Sequence, residues 1–106
     1  MKLDINTKKL YEAVLSLKSE NECQKFFRDL LTEPEIKEFA NRWKAAQMLD
    51  KKIKYDVIEK ETGMSSTTIA RISKWLNSGS GGYKFMLKRI KNKSKKNHHC
   101  TRLVAV

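Results

Sequence analysis

Apolar residues recur along this chain at three- and four-residue steps almost from end to end, the spacing of α-helix faces. Leu10, Val14 and Leu17, with Ala13 beside them, form a first stripe, and Cys23, Phe26, Phe27, Leu30 and Leu31 form a second. Between the stripes Ser19 stands three residues before Glu22, the signature of a capping box at a helix start. The first helix should therefore end near Lys18 and the second begin after Ser19. Thr32 and Glu35 repeat the signature, and Pro34 falls in the first helical turn, where its missing N–H costs little. The third helix should run to about Asp50 and bury Ile36, Phe39, Ala40, Trp43, Ala46 and Gln47.

Lys51-Lys52-Ile53-Lys54 breaks that pattern and reads as a short connection. Residues 55–62 suit a helix too short to be stable alone. They lead into Gly63, the residue expected at a left-handed helix stop. Ser65 is a good N-cap for a fifth helix carrying Ile69, Ile72, Trp75 and Leu76. A loop over 77–82 holds three of the four glycines, and a last helix should start near Gly82 with Phe85, Met86 and Ile90 as its apolar residues. Beyond it the chain turns lysine- and asparagine-rich and closes on the short apolar run Leu103-Val104-Ala105-Val106. The reading is an all-α fold of about six helices, with one helical domain over 1–91 and a basic, flexible tail over 92–106.

Length narrows this further. The 106 residues allow one domain, and a domain of that size buries only about 60–65% of the surface of its unfolded chain. Part of the apolar face is thus left for a partner chain. No apolar run nears the roughly 18 residues of a membrane span, so no membrane role is expected. The opening Met1-Lys2-Leu3-Asp4 lacks the apolar stretch of a secretory signal, which fits a cytoplasmic protein. The net charge of +11 is uneven: eight basic residues and no acid lie between Lys84 and Arg102, leaving fifteen basic against twelve acidic residues elsewhere. Such a balance points to a polyanionic partner. Cys23 sits in a helical stripe and Cys100 in the tail, the usage of free thiols in a reducing compartment. His98, His99 and Cys100 are adjacent, with no fourth ligand at zinc-site spacing, so no metal is expected. There is no nucleophile beside a base, no phosphate-binding glycine loop and no paired carboxylates in a cleft, hence no enzyme chemistry.

The informative stretch is 55–76, YDVIEKETGMSSTTIARISKWL. Counting from Gly63, Ile58 lies five before, Met64 one after, Ile69 six after and Ile72 nine after, which is helix-turn-helix spacing. The glycine lets the backbone reverse, and the four apolar residues pack the two helices on each other and on the body. The second helix is then held out as a rod that fits the DNA major groove. Its start offers the short donors and acceptors Ser65, Ser66, Thr67 and Thr68, with Ala70 at a further reading position, and Arg71 and Lys74 add charge. Lys44 on the third helix belongs to the same DNA-binding set. A helical hairpin with a serine cap would read alike, and Glu59 stands where a small residue is usual.

The segment LLTEPEIKEFANRWKAAQMLDKKIKYDVIEKETGMSSTTIARISKWL resembles the Trp repressor family, with Leu30-Leu31-Thr32 and Glu61-Thr62-Gly63 at the family's turn positions. Within it the chain looks most like the YerC/YecD-type branch. The likeness spans roughly residues 8–90. It implies an intertwined homodimer in which the first three helices and the last form a shared core and two reading heads are displayed. It also implies a small-effector site. Thr32, Arg42, Thr68 and Arg71 match the positions around the family's L-tryptophan, but a family glycine is Ile72 here and a family serine is Trp75. Isoleucine fills the room that glycine leaves for an indole, so neither tryptophan nor another cofactor is expected to be needed.

The expected function is a sequence-specific, dimeric regulator of transcription, a repressor that binds double-stranded DNA. The rivals are an RNA-binding protein working through its basic tail and a protein-interaction module with a vestigial helix-turn-helix. RNA binding calls for exposed, stackable aromatics, whereas Phe26, Phe27, Phe39 and Trp43 lie on expected core stripes.

Overall fold

A computed structural model describes the backbone of residues 3–104 and the side chains of residues 3–93. Six helices follow in order: α1 (Ile5–Leu15), α2 (Glu20–Leu30), α3 (Glu33–Asp50), α4 (Tyr55–Thr62), α5 (Ser66–Ser78) and α6 (Gly82–Val104). No strand occurs among the described residues. The chain divides into two compact units, Met1–Glu38 and Phe39–Val106.

In the first unit side chains fix the helix starts. The Asp4 carboxylate accepts the Thr7 N–H at 2.7 Å ahead of α1. Ser19 Oγ accepts the Glu22 N–H at 3.1 Å ahead of α2. At α3 the capping box is reciprocal: the Glu35 N–H donates to Thr32 Oγ1 at 3.3 Å, and Glu35 Oε1 accepts the Thr32 N–H at 2.9 Å. Each such cap satisfies backbone donors that a helix end otherwise leaves unpaired.

Helix α1 stops at Leu15, three residues before the expected Lys18. Ser16 Oγ turns back onto the Glu12 carbonyl at 3.0 Å, and the Lys18 N–H is taken by the Glu22 carboxylate at 2.8 Å. The start of α2 thus recruits the residue that would have extended α1. No residue of α1 or α2 is buried. Phe26 and Phe27 touch edge to face, with centroids 5.5 Å apart.

The second unit holds the core. Ala45, Ala46 and Leu49 of α3 meet Ile58 of α4, Ile69, Ile72 and Leu76 of α5, and Leu87 of α6. The buried face of α3 is therefore the 45/46/49 stripe. Of the expected 36/39/40/43/46/47 face, only Ala46 is fully buried, and Phe39 is 47% exposed. The two alanines allow close approach, so small rather than bulky residues mark the packed side. Among the described residues of α6, similarly, Leu87 is buried, while the expected Phe85, Met86 and Ile90 stay open.

Helix α3 ends in a paired-carbonyl stop. The Ile53 N–H reaches the Met48 carbonyl at 3.1 Å and the Lys52 N–H the Leu49 carbonyl at 3.0 Å, the two bonds of a Schellman motif. Lys52 sits at φ 63 where glycine is usual. Met48 and Ile53, which bracket the motif, both pack on the core. The helical backbone of α6 continues past residue 91, where the sequence reading ends the domain. The side chains of the expected tail from residue 94 on, among them His98, His99, Cys100 and Leu103, lie outside the described residues.

Candidate nucleic-acid interface

The geometry is built from the turn outward. Helix α4 closes on Gly63 at φ 73, whose N–H donates to the Glu59 carbonyl at 2.8 Å. The buried hydroxyl of Thr62 donates to the Ile58 carbonyl at 2.7 Å and accepts the Met64 N–H at 3.2 Å. One side chain thereby holds both sides of the turn. Ile58, Ile69 and Ile72 are wholly buried and Met64 packs against them, as the helix-turn-helix spacing requires.

Ser65 caps α5. Its hydroxyl accepts the Thr68 N–H at 3.2 Å and lies 3.1 Å from the Thr68 hydroxyl. Two of the four short polar residues at this helix start are thus committed to each other. Ser66, Thr67, Ala70, Arg71 and Lys74 are exposed. Thr67, Ala70, Arg71 and Lys74 lie on the side of α5 turned away from Ile69, Ile72 and Leu76, with Ser66 on its flank. The polar side chains among them make no hydrogen bond or ion pair with the described residues. The structure therefore brings these five onto one open face.

Lys44 stands apart from that set. Its Nζ is 3.3 Å from Glu61 Oε2, so it ties α3 to α4. A second ion pair joins Lys91 of α6 to Asp50 at the end of α3 at 2.6 Å.

The residues matched to an effector site fall in both units. Thr32 lies in the first unit, with both its N–H and its hydroxyl donating to Glu35 Oε1. Arg42 rests 5.8 Å from the Phe39 ring centroid. Ile72 is wholly buried in the core and offers no surface to a ligand. Trp75 is half-exposed and borders a hollow of about 570 Å³ with Trp43, Ser80, Gly82, Tyr83 and Met86. Trp43 and Tyr83 stack there at 6.4 Å. The sequence reading missed this aromatic grouping because Trp43, Trp75 and Tyr83 belong to three different helices. Among the described residues no cluster of His, Cys, Asp or Glu could hold a metal ion, and no helix is long and apolar enough to cross a membrane.

Residues 6–91, which take in all of α2 to α5 and nearly all of α1, match the family described as Trp repressor protein. The chain belongs to the Trp repressor family. Uncharacterized protein YerC of Bacillus subtilis strain 168 is 44% identical over 82 residues, covering 77% of this chain and 79% of its own length. The crystal structure of a TrpR-like protein from Eubacterium eligens ATCC 27750 superposes with a TM-score of 0.80 at 35% identity, over 83% of this chain and 91% of the other. The six-helix fold of this Trp repressor family member is thus shared with a solved relative, and its helix-turn-helix sits within the matched region.

Proposed function

We propose that this Trp repressor family member is a sequence-specific DNA-binding regulator of transcription, a repressor that acts as a homodimer in the bacterial cytoplasm. The observation that carries the reading is the open face of α5. Ser66, Thr67, Ala70, Arg71 and Lys74 are exposed and, among the described residues, the polar ones have no side-chain partner, on a helix fixed from behind by three buried apolar residues. A rigid helix with unspent donors on one side is what the major groove accepts. Arg71 and Lys74 supply phosphate contacts beside the reading residues.

Two recognition helices about 34 Å apart would enter successive major grooves of a pseudo-palindrome. A dimer is supported by the apolar residues that the single chain leaves uncovered, including Leu10, Tyr11, Val14 and Leu15 of α1 and Leu30 of α2. Repression then follows by occlusion of the bound site. No effector enters this mechanism, because Ile72 occupies the place of the family's ligand-accommodating glycine with its side chain in the core.

The test is selection of bound duplexes from a genomic library with the purified full chain. It is followed by affinity measurements on the selected duplex, its single strands and random duplex. Enrichment of a pseudo-palindrome bound at least a hundredfold tighter than random duplex is the expected result, in line with the usual gap of about 10³ or more between specific and non-specific binding. Equal affinity for single strands and duplex would overturn the reading.

A further inference from the structure

The free face of α5 has a chemical bias. Its first five residues, 66–70, offer bases two hydroxyls and two methyl groups: Ser66 and Thr67 carry the hydroxyls, Thr67 and Ala70 the methyls. Ser65 and Thr68 are occupied by the cap. None of the side chains that make two-point contacts with a purine edge (arginine or lysine on guanine, asparagine or glutamine on adenine) stands there. At about 100° per residue, Thr67 lies opposite the centre of the buried 69/72/76 stripe and Ala70 lies about 60° to one side of it. Arg71 falls to the other side, toward Trp75. Thr67 therefore sits on the outermost line of the helix and Ala70 beside it, about one turn further on.

We propose that this chain recognises its operator mainly through the C5-methyl groups of thymine, with Thr67 and Ala70 as the residues that contact them. The inference rests on the DNA-binding reading above and adds the class of base read. A methyl group discriminates by contact and exclusion of water alone. Thymine is the base whose major-groove edge presents an apolar group, and Ala and Thr methyls are its natural partners. Ser66 and the Thr67 hydroxyl add single hydrogen bonds, which either base of a pair can satisfy. Arg71 and Lys74 then hold the backbone.

The experiment uses the full chain and the duplex found by selection. Each dT of a half-site is replaced singly by deoxyuridine, which removes the methyl and leaves pairing unchanged. In a parallel series each dG is replaced by 7-deaza-dG, which removes the N7 acceptor. We expect deoxyuridine to weaken binding about fourfold at one or two positions per half-site, the weight of one buried methyl. The 7-deaza-dG series should change little. Thr67→Ser, which deletes only the methyl, should abolish the dT/dU difference at one position, and Ala70→Gly should do so at another. Helical content is checked for both variants by circular dichroism. Indifference to deoxyuridine throughout the half-site overturns the inference. So does sensitivity confined to 7-deaza-dG and lost in Arg71→Ala. Both outcomes leave the regulator reading standing, whereas a failure to select any duplex removes that reading first.

Discussion

Lys44 of α3 and Glu61 of α4 face each other at 3.3 Å across seventeen residues of sequence. A lysine expected to meet DNA is thereby already engaged within the protein. The pair is half-exposed and adds little to stability, since such pairs are worth about 0–1 kcal/mol. Its consequence is for binding: Glu61 cancels a charge next to the reading head. Glu61→Gln should release Lys44 for a phosphate and steepen the salt dependence of duplex binding by about one unit of slope. Affinity measured at several salt concentrations checks this, and Lys44→Ala in the Glu61→Gln background should restore the original slope.

Two helix stops share the left-handed backbone conformation, φ 63 at Lys52 and φ 73 at Gly63, but not the residue type. Gly63 occupies the left-handed region naturally, whereas Lys52 occupies it at a steric cost. Lys52→Gly should stabilise the chain by about 0.5–1 kcal/mol, and Gly63→Ala should destabilise it by about 1–2 kcal/mol. Nothing lies within 4 Å of a Cβ placed at Gly63, so the cost there is conformational. Urea unfolding of the three proteins at one fixed concentration gives both signs.

Acid should loosen the start of α3. The Thr32 N–H, and then the Thr32 hydroxyl, hold the Glu35 carboxyl below its usual range. A carboxylate with a lowered folded pKa contributes stability that is present above its unfolded pKa and lost as pH falls through the folded value. The loss therefore sets in below about pH 4.3, the ordinary glutamate value. Glu35→Gln should lower stability at neutral pH and flatten the acid limb of the curve. The Asp4 carboxyl, lowered chiefly by the Thr7 N–H, acts in the same direction at α1.

Dilution should unfold the protein. With no buried residue in α1 or α2, the first unit lacks a core of its own, and a second copy is the proposed cover. Melting temperature should then fall as protomer concentration is lowered from micromolar to nanomolar, because dimer unfolding depends on concentration. A sedimenting monomer whose melting is independent of concentration contradicts this.

Titrating L-tryptophan into protein and operator should leave affinity within a few-fold. Ile72 is wholly buried in the core and offers no surface to a ligand. A tenfold change, about 1.4 kcal/mol of coupling, would show an open site. Ile72→Gly is then the informative variant for restoring one.

Local signals were the most legible part of the sequence. Ser19, Thr32, Gly63 and Ser65 each mark a helix boundary through hydrogen bonds or dihedrals that depend on residues at most four positions away. The helix-turn-helix spacing from Ile58 to Ile72 likewise places residues that do pack together. What the sequence hid was relational. The Lys44–Glu61 pair joins separate helices, and a lysine gives no sign that it will take the left-handed position of Lys52. Periodicity weighs bulk, so the expected face of α3 takes in Ile36 and Phe39 along with Ala46 but leaves out Ala45, which is as wholly buried as Ala46. At the candidate site, pattern showed which residues occupy the first turns of α5. It did not show that Ser65 and Thr68 spend their hydroxyls on each other.

The hollow bordered by Trp43 and Trp75 contains both tryptophans of the chain. Every photon of indole emission from this protein therefore originates at one place, where α3, α5 and α6 come together. Half-exposed Trp75 sits on the same helix as Thr67 and Arg71, about two turns beyond the first and one beyond the second. The chain carries a native optical probe of the end of its reading helix, and a blue shift on assembly or on duplex binding would report what covers that end without any added label.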